Sequence, residues 1–546
     1  MKRIRVSTAT TLASLLAVSM LAGCGGNTDK GTASPANSQG ASGAASSAAG
    51  GETANEKTVN LKVSFMGIQD GFNAAGAKDD TVFNDMEKKL NVKIEPVQVT
   101  WNDWQEKAKV WAASGQLPDI FPNVIALDNP ALYASWARQG IIKPLPDDLS
   151  DYPNIKRYLD LPSVQPLKVD GKFYMVPRMT YDDSSDWIMD RPILYRKDWA
   201  AEAGYTTEPQ SFTEFVDMIK AVLKLHPNAA GVALNGKGYL TTLFLGTFPQ
   251  MANPKNWVNE DGKWIPAYAS PKINEGLQQL RKLYQDGLLD KDFAIQKDGD
   301  GFVKFVNGQS FISLGGPISI QANSDAFKKA NGKAPADVVG VMNIWPAADG
   351  KRYTFVETPY WSETYFSNKM DDSTYKRALQ LIDYMDSEEY SALTKNGILG
   401  VDYKIDGDKA VSLLKEGESL TTKYPITNVL AVLANWQGAF YKAGKQVLDV
   451  NPDVAAWQKL DISTFNKFKQ EDTPTPTNFD VMLMSTPAKD KFGAVFTTLN
   501  DEIAKVVMGK DDPAKMWEAT LKEFDKKGLQ DAINEVTAKA KEQGIQ

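Results

Sequence analysis

The amino-acid sequence predicts a two-lobed α/β protein with a helical C-terminal region. Short alternating runs typical of β-strands are followed by segments with apolar residues at helical spacing, and this order favours a mostly parallel sheet covered by helices. Behind its N-terminal segments the chain has about 490 residues, which is too long for a single ordinary core. Two lobes are therefore expected.

Strand and helix patterns alternate in the first part of this body. The predicted elements are a strand over residues 59–66, a helix over 80–90, a strand over 92–97, a helix from a cap at Asn102 to Ala113, and a short buried strand over 118–121. Sheets of this kind bind ligands at the carboxyl ends of their strands. We therefore expect a site in the loops after Met66, Val97 and Phe121.

Helical patterns dominate the later part of the chain. They cover residues 212–225, opened by Ser211, and then 274–285, 373–385, 496–508, 513–525 and 529–542. The last three lie close to the C-terminus and predict its helical character.

Charge and composition exclude several classes of function. The chain of 546 residues has a net charge of −7, whereas a general nucleic-acid binder needs a basic surface. The only cysteine, Cys24, rules out a disulfide scaffold and a multi-cysteine metal site. The only histidine, His226, argues against Ser-His-Asp catalysis and His-rich metal chemistry.

The N-terminus is typical of an exported protein. A basic start and a short apolar run predict a secretory signal over residues 1–23. The sequence Leu-Ala-Gly-Cys at 21–24 resembles the lipobox of bacterial lipoproteins, which implies cleavage before Cys24 and a lipid on its sulfur. Residues 24–57 are rich in Gly, Ala and Ser and predict a flexible linker. We expect a protein anchored at the outer face of the bacterial cytoplasmic membrane.

Segments in order along most of the chain resemble extracellular solute-binding protein family 1, the sugar-binding lipoproteins of bacterial ABC importers. The segments are 114–119 (Ser-Gly-Gln-Leu-Pro-Asp), 140–145 (Gly-Ile-Ile-Lys-Pro-Leu), 170–177 (Asp-Gly-Lys-Phe-Tyr-Met-Val-Pro), 194–199 (Leu-Tyr-Arg-Lys-Asp-Trp), 307–312 (Asn-Gly-Gln-Ser-Phe-Ile), 384–389 (Tyr-Met-Asp-Ser-Glu-Glu) and 396–403 (Asn-Gly-Ile-Leu-Gly-Val-Asp-Tyr).

The resemblance implies a periplasmic-binding-protein-like fold, in which two α/β lobes joined by crossing strands hold a ligand in the cleft between them. Lobe 1 would comprise residues 58–177 and 364–403, and lobe 2 residues 182–358 and 405–546. Some relatives carry a calcium loop after the helix that ends here near Leu225. Because the following residues lack clustered carboxylates, we expect no metal.

Sugars present flat apolar faces ringed by hydroxyl groups, so their sites combine aromatic platforms with planar hydrogen-bonding groups. The strand-end loops and the two expected crossings between lobes offer such residues. The candidates are Gln69, Asp70, Trp101, Asn102 and Asn123 in the strand-end loops, Arg178, Tyr181, Asp182 and Trp187 at the first crossing, Glu357 and Trp361 at the second, and Trp436 after an apolar helix.

The sequence thus favours a membrane-tethered receptor that captures a carbohydrate, expected to be an oligosaccharide, and delivers it to the permease subunits of an ABC importer. We expect a monomer that closes by hinge motion, carries out no chemistry, needs no cofactor and binds no nucleic acid. Two alternatives stay open. A surface glycoside hydrolase needs only two carboxyl groups, which Asp182, Asp186, Glu357 or Glu363 could supply. A receptor of the same fold could instead bind a peptide.

Overall fold

The computed structural model describes most of the chain beyond residue 56. The described ranges are 57–180, 192–244, 247–252, 256–297, 299–314, 320, 323–354, 359–407, 409–415, 418–434, 452–474 and 478–545. The predicted signal peptide, Cys24 and all but the last residue of the predicted linker lie outside these ranges. Within them, no helix has the length and hydropathy needed to cross a bilayer.

The strands form two main sheets and three small pairs. Their bounds are β1 (Val59–Met66), β2 (Val92–Val99), β3 (Ile120–Asn123), β4 (Met175–Met179), β5 (Ile193–Arg196), β6 (Ala230–Ala233), β7 (Trp257–Glu260), β8 (Lys263–Pro266), β9 (Ser310–Leu314), β10 (Val339–Met342), β11 (Tyr353–Thr354), β12 (Tyr360–Phe366), β13 (Tyr403–Asp406), β14 (Lys409–Ser412) and β15 (Thr473–Pro474).

The first sheet has the order β2-β1-β3-β12-β4. β1 pairs in parallel with β2 and β3, and β12 runs antiparallel to both β3 and β4. The carboxyl ends of β1, β2, β3 and β4 therefore share one edge with the first residue of β12, Tyr360. This edge is the one at which a ligand site is expected.

The second sheet has the order β10-β5-β9-β6. β6 is parallel to β9, and β5 is antiparallel to both β9 and β10. The carboxyl ends of β6, β9 and β10 thus share an edge with Ile193, the first residue of β5. Among the described strands, the chain passes from one of these edges to the other between Met179 and Ile193 and between Met342 and Tyr360. Both passages fall where the sequence predicts the crossings between lobes.

Helices cover both sheets. Their bounds are Ile68–Asn73, Thr81–Leu90, Trp104–Ser114, Ile125–Asp128, Pro130–Arg138, Pro153–Leu159, Lys197–Glu202, Phe212–Leu225, Pro249–Ala252, Ile273–Gln285, Asp300–Val306, Ser324–Asn331, Pro335–Val338, Asp372–Met385, Glu388–Asn396, Leu420–Lys423, Pro425–Ala434, Pro452–Glu471, Phe479–Leu483, Pro487–Phe492, Leu499–Met508, Pro513–Lys526 and Leu529–Glu542.

The predicted elements are found close to their expected bounds, and one predicted cap is wrong. Ser211 caps the helix Phe212–Leu225 by accepting from the Glu214 amide, as expected. Asn102 does not cap the next predicted helix, because that helix begins at Trp104 and Asp103 occupies the N-cap position. The Asp103 carboxylate instead accepts from the Thr100 amide, two residues before Asn102.

Each main sheet has its own hydrophobic core. The first core contains Leu61, Phe121 and Tyr365 from the sheet, with Leu379 and Leu430 from covering helices. The second core and a smaller cluster beside it belong to the other sheet. Representative members are Phe215, Leu277, Phe311, Trp517 and Val536 in the second core and Phe305, Val339 and Trp457 in the smaller cluster.

The helix Pro425–Ala434 packs on the first sheet, although the predicted lobe boundary places residues 405–546 in lobe 2. Ile426, Leu430 and Leu433 are buried in the first core. Thr364 in β12 donates from its hydroxyl to the Leu433 carbonyl at 2.9 Å. The apolar face of this helix is therefore buried against the first sheet, a choice of partner that helical periodicity alone does not encode.

Candidate functional site

Two tryptophans from distant parts of the sequence meet at the carboxyl edge of the first sheet. Trp101 lies in the turn after β2, with 49% of its surface exposed, and Trp361 is the second residue of β12. Their ring centroids are 5.9 Å apart, with an angle of 32° between the rings. The buried Trp104 ring lies 5.8 Å from the Trp361 ring. We call Trp101 and Trp361 the indole platform, a surface on which a flat apolar ligand face can stack.

The turn after β2 reaches across the sheet edge to complete this platform. β1 and β3 separate β2 from β12, a distance of roughly 14 Å at the usual strand spacing. The Thr100 amide donates to Asp103 Oδ1 at 2.7 Å, and the Asp103 and Trp104 amides donate to the Thr100 carbonyl at 3.1 Å. The Thr100 bond holds the pKa of the Asp103 carboxyl below its ordinary value. A charged Asp103 therefore stabilises the turn that carries Trp101.

β12 is irregular at the residue after Trp361. Its register against β4 shifts between Tyr360 and Glu363, and Ser362 has a φ of 62°. A β-bulge redirects neighbouring side chains, and a left-handed non-glycine residue stores strain; both features concentrate at functional sites. Trp361 thus lies within the irregular part of β12, directly before the left-handed residue.

Arg178, near the end of β4, is buried beside the platform with no exposed surface. Its guanidinium carbon lies 5.3 Å from the Trp361 ring centroid and 5.1 Å from that of Phe65. Its Nη1 donates to Ser362 Oγ at 2.5 Å. Burial lowers the pKa of Arg178 to about 9. That Arg178 bonds sugar hydroxyls stays a prediction; in the structure its guanidinium contacts Phe65, Trp361 and Ser362.

Glu363 is also fully buried, opposite Asn123 of β3. Its Oε1 accepts from the Leu127 amide and its Oε2 from the Tyr365 hydroxyl, both at 3.0 Å. The same Tyr365 oxygen accepts from the Ala126 amide at 3.0 Å. Burial raises the pKa of Glu363 to about 8. Its two oxygens tie β12 to the start of the helix Ile125–Asp128, away from solvent.

Two buried polar atoms at the same edge lack a hydrogen-bond partner in the described part of the chain. They are Asn123 Nδ2, at the end of β3, and Thr180 Oγ1, directly after β4. Asn123 Oδ1 accepts from the Val124 amide, which fixes the orientation of its amide group. Unpaired buried polar atoms are costly, so both atoms are suited to hydrogen-bond a bound molecule.

The remaining predicted residues of the first three loops lie at this edge with less specific contacts. Gln69 is half-buried and its Nε2 donates to Asn73 Oδ1 at 3.2 Å. Asp70 and Asn102 are exposed. The order of the strands alone brings these three residues to this edge of the sheet.

Several predicted site residues lie outside the described ranges: Cys24, Tyr181, Asp182, Trp187, Glu357 and Trp436. His226 lies apart from the platform, stacked at 3.9 Å on Trp199, with Nε2 3.1 Å from Glu202 Oε2. Among the described residues, no group of three or more His, Cys, Asp or Glu side chains is placed to hold a metal ion.

Sequence reasoning missed Ser362 and Thr180. Thr180 directly follows the buried strand β4, and Asn123 was selected because it lies at the end of the buried strand β3. The same reasoning could therefore have selected Thr180. The left-handed conformation of Ser362 left no signal, because glycine, not serine, is the usual residue there.

The sequence model of the bacterial extracellular solute-binding proteins matches residues 81–401. The lipoprotein LipO of Bacillus subtilis is 23% identical over 59% of this chain, and the match spans 64% of LipO. The fructooligosaccharide ABC transporter substrate-binding protein FusA of Streptococcus pneumoniae is 24% identical over 86% of this chain and 88% of its own length.

Solved structures of the same kind superimpose on this chain. The alginate-binding protein AlgQ2 gives a TM-score of 0.66 at 18% identity, covering 89% of this chain and 98% of its own. FusA in complex with kestose gives a TM-score of 0.62 at 18% identity, covering 89% and 99%. The predicted two-lobe α/β fold is confirmed by this likeness.

Proposed function

We propose that this chain, which belongs to the bacterial extracellular solute-binding proteins, is the substrate-binding component of an ABC importer and captures an oligosaccharide. The predicted signal and lipobox support a lipid anchor on Cys24 at the outer face of the cytoplasmic membrane. Of the matching relatives, LipO is named as a lipoprotein and FusA as a fructooligosaccharide ABC transporter substrate-binding protein. The importer's permease subunits would receive the ligand.

The indole platform is the observation that carries the proposal. Trp101 is half-exposed and lies against Trp361 at the edge where ligands of α/β sheets bind. An indole face attracts the apolar face of a sugar ring, while Asn123 Nδ2 and Thr180 Oγ1 are suited to meet its hydroxyl groups. Gln69, Asp70 and Asn102 can add contacts at the rim.

The two passages between the sheets support closure around the ligand. Each joins the carboxyl edge of one sheet to that of the other, so ligand held at these edges can draw the lobes together. Tyr181, Asp182, Trp187 and Glu357 belong to these passages, and we propose that they and Trp436 complete the site. Closure is the change that a permease can recognise.

We propose that the protein has no catalytic activity. A glycoside hydrolase needs two carboxyl groups that reach the scissile bond. Glu363, one of the four carboxylates considered for that role, is buried and bonded to Leu127 and Tyr365. A peptide ligand would use backbone hydrogen bonds along an extended site, and the stacked tryptophans favour a sugar over it.

Thermal-shift screening of residues 57–546 against neutral and acidic oligosaccharides, monosaccharides and short peptides tests the proposal. An oligosaccharide should raise the melting temperature, remain uncleaved in chromatography, and lose its effect in Trp101→Ala. Cleavage products would favour the hydrolase. A shift with peptides alone would overturn the carbohydrate ligand.

A further inference from the structure

We propose that Arg178 is a positioning residue that fixes the Trp361 side of the indole platform through the Trp361 ring and Ser362, and does not itself contact the ligand. The inference deepens the proposed function and rests on it for the part that concerns ligand affinity. It replaces the expectation that Arg178 hydrogen-bonds sugar hydroxyls.

The guanidinium of Arg178 lies between two aromatic rings. Its central carbon is 5.1 Å from the Phe65 centroid and 5.3 Å from the Trp361 centroid. A cation over an aromatic face is attracted by the ring's quadrupole, and the attraction strengthens where water is excluded. Phe65 is buried in β1, so Arg178 links a fixed ring of the core to the ring that ligand would meet.

The second contact of Arg178 acts on the backbone beside Trp361. Ser362 adopts a left-handed φ of 62° within β12, whereas the other described non-glycine residues with positive φ, which are Asn91, Asp170 and Asp261, lie at a helix end or in turns. Such a conformation persists only where its surroundings hold it. The Arg178 Nη1 bond to Ser362 Oγ supplies one such restraint.

Both contacts require the shape of arginine. Its flat guanidinium can face a ring while an N–H in the same plane donates to a hydroxyl, whereas the ammonium of lysine is a point charge without a face. Neither contact requires that Arg178 touch the ligand, and no part of its surface is exposed.

A double-mutant cycle tests the inference. Arg178→Met should weaken oligosaccharide binding at least tenfold in the wild-type background but less than twofold in the Trp361→Ala background, because a positioning residue acts only through the residue that it positions. If Arg178→Met lowers oligosaccharide affinity by the same factor in both backgrounds, Arg178 contacts the ligand directly and the inference is overturned.

A ligand-free readout separates this inference from the proposed function. The difference between the near-ultraviolet circular dichroism spectra of wild type and Trp361→Ala gives the signal of the Trp361 ring. This signal should be weaker in Arg178→Met, because the ring is then less firmly held. The matched control is Arg377→Met, which deletes another buried arginine of the first lobe, one bonded to Gln380; it should lower the melting temperature but keep that signal.

An unchanged dichroism signal in Arg178→Met would contradict positioning even if no sugar binds. If Arg178→Met does not fold, Arg178→Lys takes its place with the same expected pattern, since lysine keeps the charge and loses the planar contact. Failure of every oligosaccharide to bind wild-type protein would reject the proposed function, and the dichroism arm would still decide the role of Arg178.

Discussion

The Thr427 hydroxyl donates to Asp80 Oδ1 at 2.7 Å, although 347 residues separate the two in the sequence. The same carboxylate accepts from the Phe83, Ile426 and Thr427 amides at 2.8 to 3.0 Å. One buried side chain thus caps two helices, Thr81–Leu90 and Pro425–Ala434. The first four amides of a helix have no partner within it, and Asp80 accepts from such amides of both helices. This shared cap joins the later helix to the first lobe.

Asp80→Ala should lower the free energy of unfolding by about 3 kcal/mol or more, since it leaves buried amide donors at two helix ends without acceptors. Urea denaturation measures the change. Asp85→Ala, on an exposed position of the same helix, is the matched control and should change stability little. Equal effects of the two substitutions would show that the double cap contributes nothing particular.

Trp101→Ala should weaken oligosaccharide binding by about 1–3 kcal/mol while leaving the melting temperature of the free protein nearly unchanged. The reason is that Trp101 is half-exposed, so little core packing is lost with it. Titration calorimetry with the sugar found by screening measures the affinity. Trp361→Ala should cost a similar amount of affinity. Unchanged affinity in both variants would remove the indole platform from the site.

The order of strands and helices could be predicted from sequence because hydrophobic periodicity and capping residues are local signals. The edge at which we propose the site can be predicted from the same signals, because the carboxyl ends of the parallel strands β1, β2 and β3 meet at one edge of the sheet. Trp101 and Asn123 are predicted site residues because each follows a strand, whereas Trp361 is predicted from its place at the second crossing that the family resemblance implies.

Long-range partners could not be predicted from the same signals. The apolar face of the helix Pro425–Ala434 does not indicate which sheet it covers. The predicted lobe 2 therefore includes this helix with residues 405–546, although it packs on the first sheet. The burial of Arg178 was likewise hidden, because its neighbours Phe65 and Ser362 are far from it in sequence. The bulge at Ser362 depends on pairing with β4, which no local pattern encodes.

Stability should depend on pH through Glu363. Burial raises its pKa from an ordinary value near 4.5 to about 8 in the folded protein, so between these values the folded chain binds more protons than the unfolded chain. The stability that follows from this extra proton is fully present below about pH 4.5. As the pH rises towards 8, the free energy of unfolding falls by up to about 1.4 kcal/mol per pH unit.

Glu363→Gln should flatten this decline, because glutamine stays neutral and keeps one oxygen for the Leu127 amide. Urea denaturation of both proteins at pH 5, 6, 7 and 8 gives the comparison. The stability difference between variant and wild type should shift in favour of the variant as the pH rises. A constant difference across these pH values would mean that Glu363 titrates alike in the folded and unfolded chains.

Lys489→Met should destabilise the second lobe. The buried Lys489 ammonium donates to the Val481, Met482 and Met484 carbonyls at 2.7 to 2.8 Å, which closes the C-terminal end of the helix Phe479–Leu483. Methionine matches its length but leaves these carbonyls without a donor, a cost of about 2–4 kcal/mol in the free energy of unfolding. Lys491→Met, an exposed position of the same helix as Lys489, should be nearly neutral; a similar loss there would contradict the account.

Thr180→Val tests whether the Thr180 hydroxyl binds the ligand or stabilises the fold. Thr180 Oγ1 is buried at the edge of the first sheet with no partner among the described residues, and valine has the same shape without the hydroxyl. The free protein should be as stable as wild type or more stable, by about 1 kcal/mol, because an unpaired buried hydroxyl is costly. Affinity for the oligosaccharide should fall by about 1 kcal/mol. Denaturation and calorimetry on the same samples measure both. A less stable variant with unchanged affinity would assign the hydroxyl to the fold and not to the ligand.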